Sequence, residues 1–587
     1  MTASTNKDTK LNSGFRFMQR TIIGMALGLV FVAAIACSGG SDSPNGAAAQ
    51  PTSTPPAARA TQPAIAPELQ STQDPSASSG DTGPKQGGVF NTLWSDPPTL
   101  DPHLVTDGTS YGIVIEVFSG LVKLGANPSN PFEPDLAESW SVLEDGTVYE
   151  FKLRNGIVFS NGDPVTAQDF KWSFERAANP DTASTVAEEF LGDIVGIQDI
   201  VDGKTTIAKG IEVVDERTLR LTIDAPKAYF IAKLTYPTAF VLNRNNVESL
   251  GRNWVDEPVS TGPFTLKEYR IGQRIRLARN DAYWGRSAYL DEVVFNLAGG
   301  VAMAMYENDE IDVTGVGLAD LERVQDPTEE LNKDLVEVPP NFAVSYVGFN
   351  INKAPFDDSA FRQALNHAVD KQLIADQVFS NLVKPAYGII PPGFPGFSSE
   401  IKGLEFDPEL AKDLLAQSAY ADPSSRPRIV LTVPGTGGSP GLTTEVVADM
   451  WRQNLGIDIE IQQVEWATYI QDLHRGRLQA WSGLSWQADY PDPQTFIDVL
   501  FRSSSAINYG GYANSKVDEY VVSAQTEQDA TKRVQYYNDA EQIVVSEAAW
   551  LPLWWGVDSK ALVKPWVQDY AFSSLTIAKF RDVWLDK

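Results

Sequence analysis

The stretch SWQADYPDP at 485–493 places two aromatic rings, Trp486 and Tyr490, around two carboxylates, Asp489 and Asp492. Prolines at 491 and 493 forbid a helix here and disfavour a central strand, leaving a loop or strand end. An acid wedged between rings on a loop suits catalysis, metal ligation, recognition of a cation, or packing at a chain reversal. For Asp492, between the two prolines, a turn role is expected.

Catalysis and metal binding find little else to build on. GGSPG at 437–441 is a Gly-x-Ser-x-Gly pattern between a predicted strand and a predicted helix, the setting of a nucleophile elbow. The residue after Ser439 is Pro440, which lacks the N–H that forms half of an oxyanion hole. A secreted hydrolase using Ser439 is the alternative of another class, with His474 the only histidine downstream. Gly196 and Gly203-Lys204-Thr205 are too far apart for a phosphate-binding loop. His103, His367 and His474 are the only histidines, and Cys37 the only cysteine. No HExxH or EF-hand loop appears, so neither a metal site nor a cofactor is expected. Asp489 and Asp492 could serve a glycosidase, but their separation in space is not given by spacing in sequence.

Lysine and arginine number 47 against 76 acidic residues, a formal charge of −29. That balance argues against nucleic acid, which requires a basic face. Arg16 and Arg20 precede an apolar run at 21–36 that leads into Cys37. The run is marginal for a membrane span but fits a signal-peptide core, so 1–36 is expected to be a signal peptide. Small residues before a lone cysteine resemble a bacterial lipobox, in which the thiol is lipidated. An ordinary signal peptide or short anchor helix is the alternative. Residues 38–86 are mostly Ser, Thr, Pro, Ala, Gly and Gln and cannot bury enough surface to order themselves. Segment 37–86 is therefore expected to be a lipidated tether of roughly 40 Å. The soluble body begins at about Gly87.

That body alternates strand and helix patterns throughout, an α/β chain. A hairpin is expected around Asn155-Gly156 and a second strand pair around Ile271-Gly272. Thr166 and Asp169 are spaced as a capping box before a helix that stops near Pro180. In DSAFRQALNHAVDKQLI, Phe361, Ala364, Leu365, Ala368 and Val369 make one amphipathic stripe, with His367 off it and at the rim. Strands are read at 428–435 and over GIDIEIQQVEW, helices over 442–455 and 532–546, and a last apolar strand in AAWLPLWW.

Eight motifs follow one family's order: TLDP (99–102), PDLAESW (134–140), NGDPVTAQDF (within 155–170), STGPFTLKEY (260–269), LARNDAYWG with YLDEVVF (277–295), YVGFNINKAPFDDSAFRQALNHAVDK (346–371), WQADYPDP (486–493) and LPLWW. Together they resemble the extracellular solute-binding proteins of ABC importers, of the oligopeptide- and dipeptide-binding type. The resemblance implies a bilobal α/β fold with an extra subdomain on the first lobe. Lobe I would comprise 87–132, 259–342 and 553–587, the inserted subdomain 133–258, and lobe II 343–552. It implies a non-enzymatic monomer, held at the outer face of the membrane through Cys37, that delivers a peptide or other small solute to a permease. In that family the aspartate of W-x-x-D meets the ligand's α-ammonium, which here is Asp489. Trp486 would supply a flat wall, with Trp481 and Tyr490 as further ligand contacts. Trp481 could equally fill the core of lobe II. Paired with an ammonium, Asp489 is expected to stay ionised across neutral pH. No basic residue lies in 478–488 to hold a ligand carboxylate, although Arg475 and Arg477 are close in sequence. Peptide is the default ligand, and a neutral oligosaccharide stacked on some of the 14 tryptophans is the runner-up.

Overall fold

Strand Val89–Leu93 lies parallel to Glu292–Asn296 at the edge of a four-stranded sheet completed by Arg274–Arg279 and Phe264–Arg270. Its inward residues Phe90, Ile275, Leu277, Val293 and Phe295 are fully buried, as strict alternation on a half-covered sheet requires. The turn at Ile271-Gly272 forms as expected, with Gly272 at a φ of +66°. The computed structural model describes residues 83–587 other than 126–130, 436, 438, 557, 576 and 578. Cys37, the apolar run and the tether lie outside the described residues. Among the described residues no helix is long and apolar enough to cross a membrane.

A second, six-stranded mixed sheet carries the middle of the chain. Its order is Lys384–Pro385, Trp550–Trp555, Ala343–Phe349, Ala480–Gln487, Val430–Pro434 and Glu460–Val464. Helices Ser359–His367 and Leu442–Leu455 pack on it, and the apolar stripe from Phe361 to Val369 is buried without remainder. Gly348 faces Trp481 across two paired strands. A Cβ at Gly348 would stand 2.1 Å from the Trp481 ring, so only glycine lets that indole lie flat on the sheet.

The third body has its own sheet, in the order Ala137–Leu143, Val148–Leu153, Thr218–Thr222 and Ile211–Asp215, and a separate core. Its helix Ala167–Ala178 starts at the expected capping box, with Thr166 N–H donating to Asp169 at 2.8 Å.

Two expectations are corrected. Asn155-Gly156 makes a turn, but no hairpin forms there. Val148–Leu153 already has Ala137–Leu143 on one edge and Thr218–Thr222 on the other, so no edge is free for a returning arm. The segment after the turn makes only an isolated bridge between Val158 and Pro164. The return of the chain to the first lobe also falls later than Leu553. Trp550–Trp555 is still an inner strand of the six-stranded sheet. Ser559–Val563 is the first segment to pair with Val313–Gly315 and Leu335–Val338. Leu551 and Leu553 are fully buried beneath the six-stranded sheet's helices, which holds this strand there. The two crossings between lobes run side by side, with Gly556 N–H donating to Ala343 O at 3.1 Å.

Candidate ligand-binding cleft

Strand Ala480–Gln487 ends where the first proline approaches, and the chain loops to a new helix, Gln494–Phe501. The first turn of that helix pins the loop. Trp486 Nε1 donates to Thr495 O at 2.9 Å, and the Thr495 hydroxyl donates to Asp489 Oδ2 at 3.3 Å. Trp486 and Asp489 thus face a cleft of about 1140 Å³ counted to its open mouth. Its walls come from all three bodies: Asp107 and Tyr111 from the first, Phe190 and Tyr236 from the inserted one, Tyr346, Trp466 and Tyr509 from the second. Among the described residues lining it there is no lysine or arginine. The carboxylates are Asp107 and Asp489.

Burial pushes the Asp489 carboxyl up to about 7, and the charge on Glu189 adds to that push, while the Thr495 hydroxyl works against it. No basic side chain is among the groups that act on it. The expected ionisation of Asp489 across neutral pH belongs to the ammonium-paired state; without a ligand, burial disfavours the charged form.

The other site residues read from sequence divide. Tyr490 is fully buried outside the cleft lining. Its hydroxyl donates to Gln494 Oε1, and its ring meets the edge of Phe190 at 6.4 Å. Trp481 is likewise buried, packed on Gly348 in the core. Asp492 does more than shape a turn: besides accepting from Gln494 N–H, it takes a two-pronged bond from Arg533 at 2.7 and 2.8 Å. Arg475 and Arg477 are exposed and bonded to Gln471 and Asp472, away from the cleft. His103 is buried between Arg176 and Phe240 O; burial first, and then Arg176, lowers it to about 4. His367 bonds to Glu405 O at the rim. The Ser439 hydroxyl donates to Glu445, and His474 contacts Tyr509, so no serine–histidine pair forms.

Sequence reasoning missed Asp107, Phe190, Tyr236, Trp466 and Tyr509. Each sits in ordinary local sequence. Asp107 caps helix Gly108–Val117, a role that explains its presence without reference to any ligand.

Beside the cleft a buried charged network ties the inserted body to the second lobe. Lys233 lies 3.3 Å from Glu189 and 3.1 Å from Asp193, and Lys227 is 2.6 Å from Asp193. Glu189 accepts in turn from Gln494 at 2.9 Å and from Arg502 at 3.4 Å. Burial would lower Lys233, but Asp193 and Glu189 outweigh it and hold the ammonium well above its ordinary value. Tyr490, through Gln494, couples the cleft loop to this network.

A model of bacterial extracellular solute-binding proteins, family 5 (middle part), matches residues 131–508. The chain belongs to this family. The family-5 protein is 30% identical over 495 residues to the periplasmic oligopeptide-binding protein OppA of Escherichia coli K12, covering 81% of this chain and 88% of the relative. It is 32% identical over 499 residues to the probable deoxycholate-binding periplasmic protein YgiS of the same organism, covering 82% and 91%. The solved structure of the E. coli murein tripeptide binding protein MppA superposes with a TM-score of 0.77 at 28% identity, over 86% of this chain and 99% of that one. The bilobal α/β architecture with an added subdomain is therefore that of the family. These relatives differ in ligand, so the family-5 protein's own cleft must decide what it takes.

Proposed function

We propose that this protein captures peptides by their free N-terminus, with Asp489 accepting from the α-ammonium and Trp486 forming the adjacent wall, and hands them to an ABC permease. The observation that carries this reading is a shielded carboxylate, uncompensated by any base, at the face of an aromatic cleft. Such a group gains a charge-assisted hydrogen bond when a cation arrives, and the low-dielectric surroundings strengthen it. An anionic ligand such as a bile acid would meet two carboxylates with no counter-charge, which disfavours that reading of the YgiS likeness. The lobes divide as 87–132, 259–342 and the chain beyond 558 against 343–556, with 133–258 inserted. Catalysis has no part in it.

The test is calorimetric titration with a peptide pool, free or Nα-acetylated, alongside native mass spectrometry of freshly purified protein. Free peptides should bind and acetylated ones should lose most of their affinity. Equal binding of the two would remove Asp489 from ligand recognition and move the oligosaccharide reading ahead.

The reading includes a lipid anchor at Cys37, supported by the arginine-flanked apolar run that precedes it. Cys37→Ser should move the protein from the membrane fraction to the soluble fraction. A mutant still recovered with detergent micelles would point to a retained helix at 21–36 instead.

A further inference from the structure

Asp107 lines the same cleft as Asp489, and its chemistry is not exhausted by capping a helix. Its Oδ1 accepts from the N–H groups of Thr109 and Ser110 at 3.0 and 3.1 Å and from the Thr109 hydroxyl. Its Oδ2 is shut off from solvent with no donor. No lysine or arginine lines the cleft to neutralise either carboxylate. The nearby His474 does not serve either, because burial lowers it to about 4 and leaves it neutral. Both acids act on one group, the buried hydroxyl of Tyr236, so they belong to one electrostatic neighbourhood. A ligand bringing a single ammonium satisfies Asp489 and leaves Asp107, whose Oδ2 has no donor, without a cationic partner.

We propose that Asp107 is a specificity determinant that favours a second positive charge on the ligand, so that the preferred class is peptides whose first residue is lysine or arginine. This rests on the reading of Asp489 as the anchor for the α-ammonium. The physical content is a difference of affinities: the basic side chain enters a region of negative potential that a neutral side chain of the same length cannot use.

The experiment titrates the full protein with two pentapeptide amides that differ only in residue one, Lys-Ala-Ala-Ala-Ala-NH₂ and norleucine-Ala-Ala-Ala-Ala-NH₂. The lysine peptide should bind roughly tenfold or more tightly, with the gap narrowing as salt is raised. The ratio should collapse toward one in Asp107→Asn. Asparagine caps helices about as well as aspartate, so this variant removes the charge while keeping the helix start. Equal affinities in the parent, or a lysine preference that survives in Asp107→Asn, would overturn the proposal while leaving the peptide reading intact. Binding of neither peptide, or binding of Nα-acetyl-norleucine peptide as well as the free one, would overturn the peptide reading and this proposal with it. Should Asp107→Asn melt well below the parent, Asp107→Ser, which also caps, carries the same comparison.

Discussion

Asp489→Asn is expected to weaken binding of free-amine peptides by about 30-fold to several thousand-fold, the equivalent of about 2–5 kcal/mol for removing one partner of a shielded charge pair. Asparagine keeps the shape and can still meet the Thr495 hydroxyl, so the loss reports charge. The pH profile identifies the group. Burial holds the free carboxyl near 7, so binding an ammonium below that pH must release a proton. Affinity of the parent should therefore rise by up to about tenfold per pH unit between 5 and 7. It should fall again as the peptide's own amine, with a pKa of about 7.7–8.0, deprotonates. The mutant should lack the rising limb. Stability of the ligand-free protein should move the other way. A carboxyl whose pKa is higher folded than unfolded holds more protons in the folded state. Its contribution is fully present below about 4 and is lost as pH rises through about 7. Asp489→Asn should thus melt higher relative to the parent at pH 8 than at pH 5. Calorimetric titration from pH 5 to 9, with melting curves at both ends, checks both limbs. A mutant that binds normally and merely melts lower at every pH would make Asp489 a turn residue.

Lys233→Met is expected to cost about 3–5 kcal/mol of stability, the range for stripping one partner from a buried ion pair. Lys233 is 3% exposed, and its loss would leave Glu189 and Asp193 facing each other with only their remaining partners. The stranded carboxylates can take up protons, so the deficit should be smaller at pH 5 than at pH 8. Adding Glu189→Gln should recover part of the loss, since that removes the like-charge repulsion that Lys233 had cancelled. Denaturant unfolding of the single and double mutants at both pH values supplies the measurement. Equal stability of Lys233→Met and the parent would mean the network is solvated and inert.

Much of the scaffold was legible because its signals are local. The stripe of Phe361, Ala364, Leu365, Ala368 and Val369, the capping box at Thr166 and Asp169, and the turn at Ile271-Gly272 each need only neighbouring residues to be read. The capping box and the turn formed as their patterns require, and all five stripe residues are buried, although the helix ends at His367, with Ala368 as its C-cap and Val369 beyond it. The strand after Asn155-Gly156 failed for the opposite reason. Its pattern suited a hairpin, but the preceding strand Ala137–Leu143 and the sequence-distant strand Thr218–Thr222 already occupy both sides of its partner. The cleft was legible only along one of its walls. WQADYPDP shows Trp486 and Asp489 directly, whereas Asp107 and Tyr236 reach the cleft from separate bodies and carry no mark of it. Tyr490 looked like a ligand contact because it neighbours Asp489. One step along the loop turns a side chain from the cleft to the lobe interior, where Gln494 and Phe190 receive it.

The interlaced strands near the end of the chain have a consequence for how this protein is made. Trp550–Trp555 lies between Lys384–Pro385 and Ala343–Phe349 in the six-stranded sheet, and Ser559–Val563 is the middle strand of the three-stranded sheet. Beyond them, Trp584–Leu585 pairs with Val567–Gln568, and Leu585 packs on Gly88 near the opening strand of the body. A nascent chain that has released its first 548 residues holds two large sheets, each with an inner or covering segment missing. Neither lobe can close its core by itself, and the pairings that finish them join residues hundreds of positions apart, the kind that form slowly. The inserted body, whose sheet is drawn from 137–222 and whose buried core adds only Leu121 and Val122 from before residue 133, is the exception and can condense early. Synthesis therefore yields one finished module waiting on two open ones. During that interval the apolar faces of both lobes are exposed to chaperones and proteases, and a chain cut short by even its last forty residues loses both lobes together.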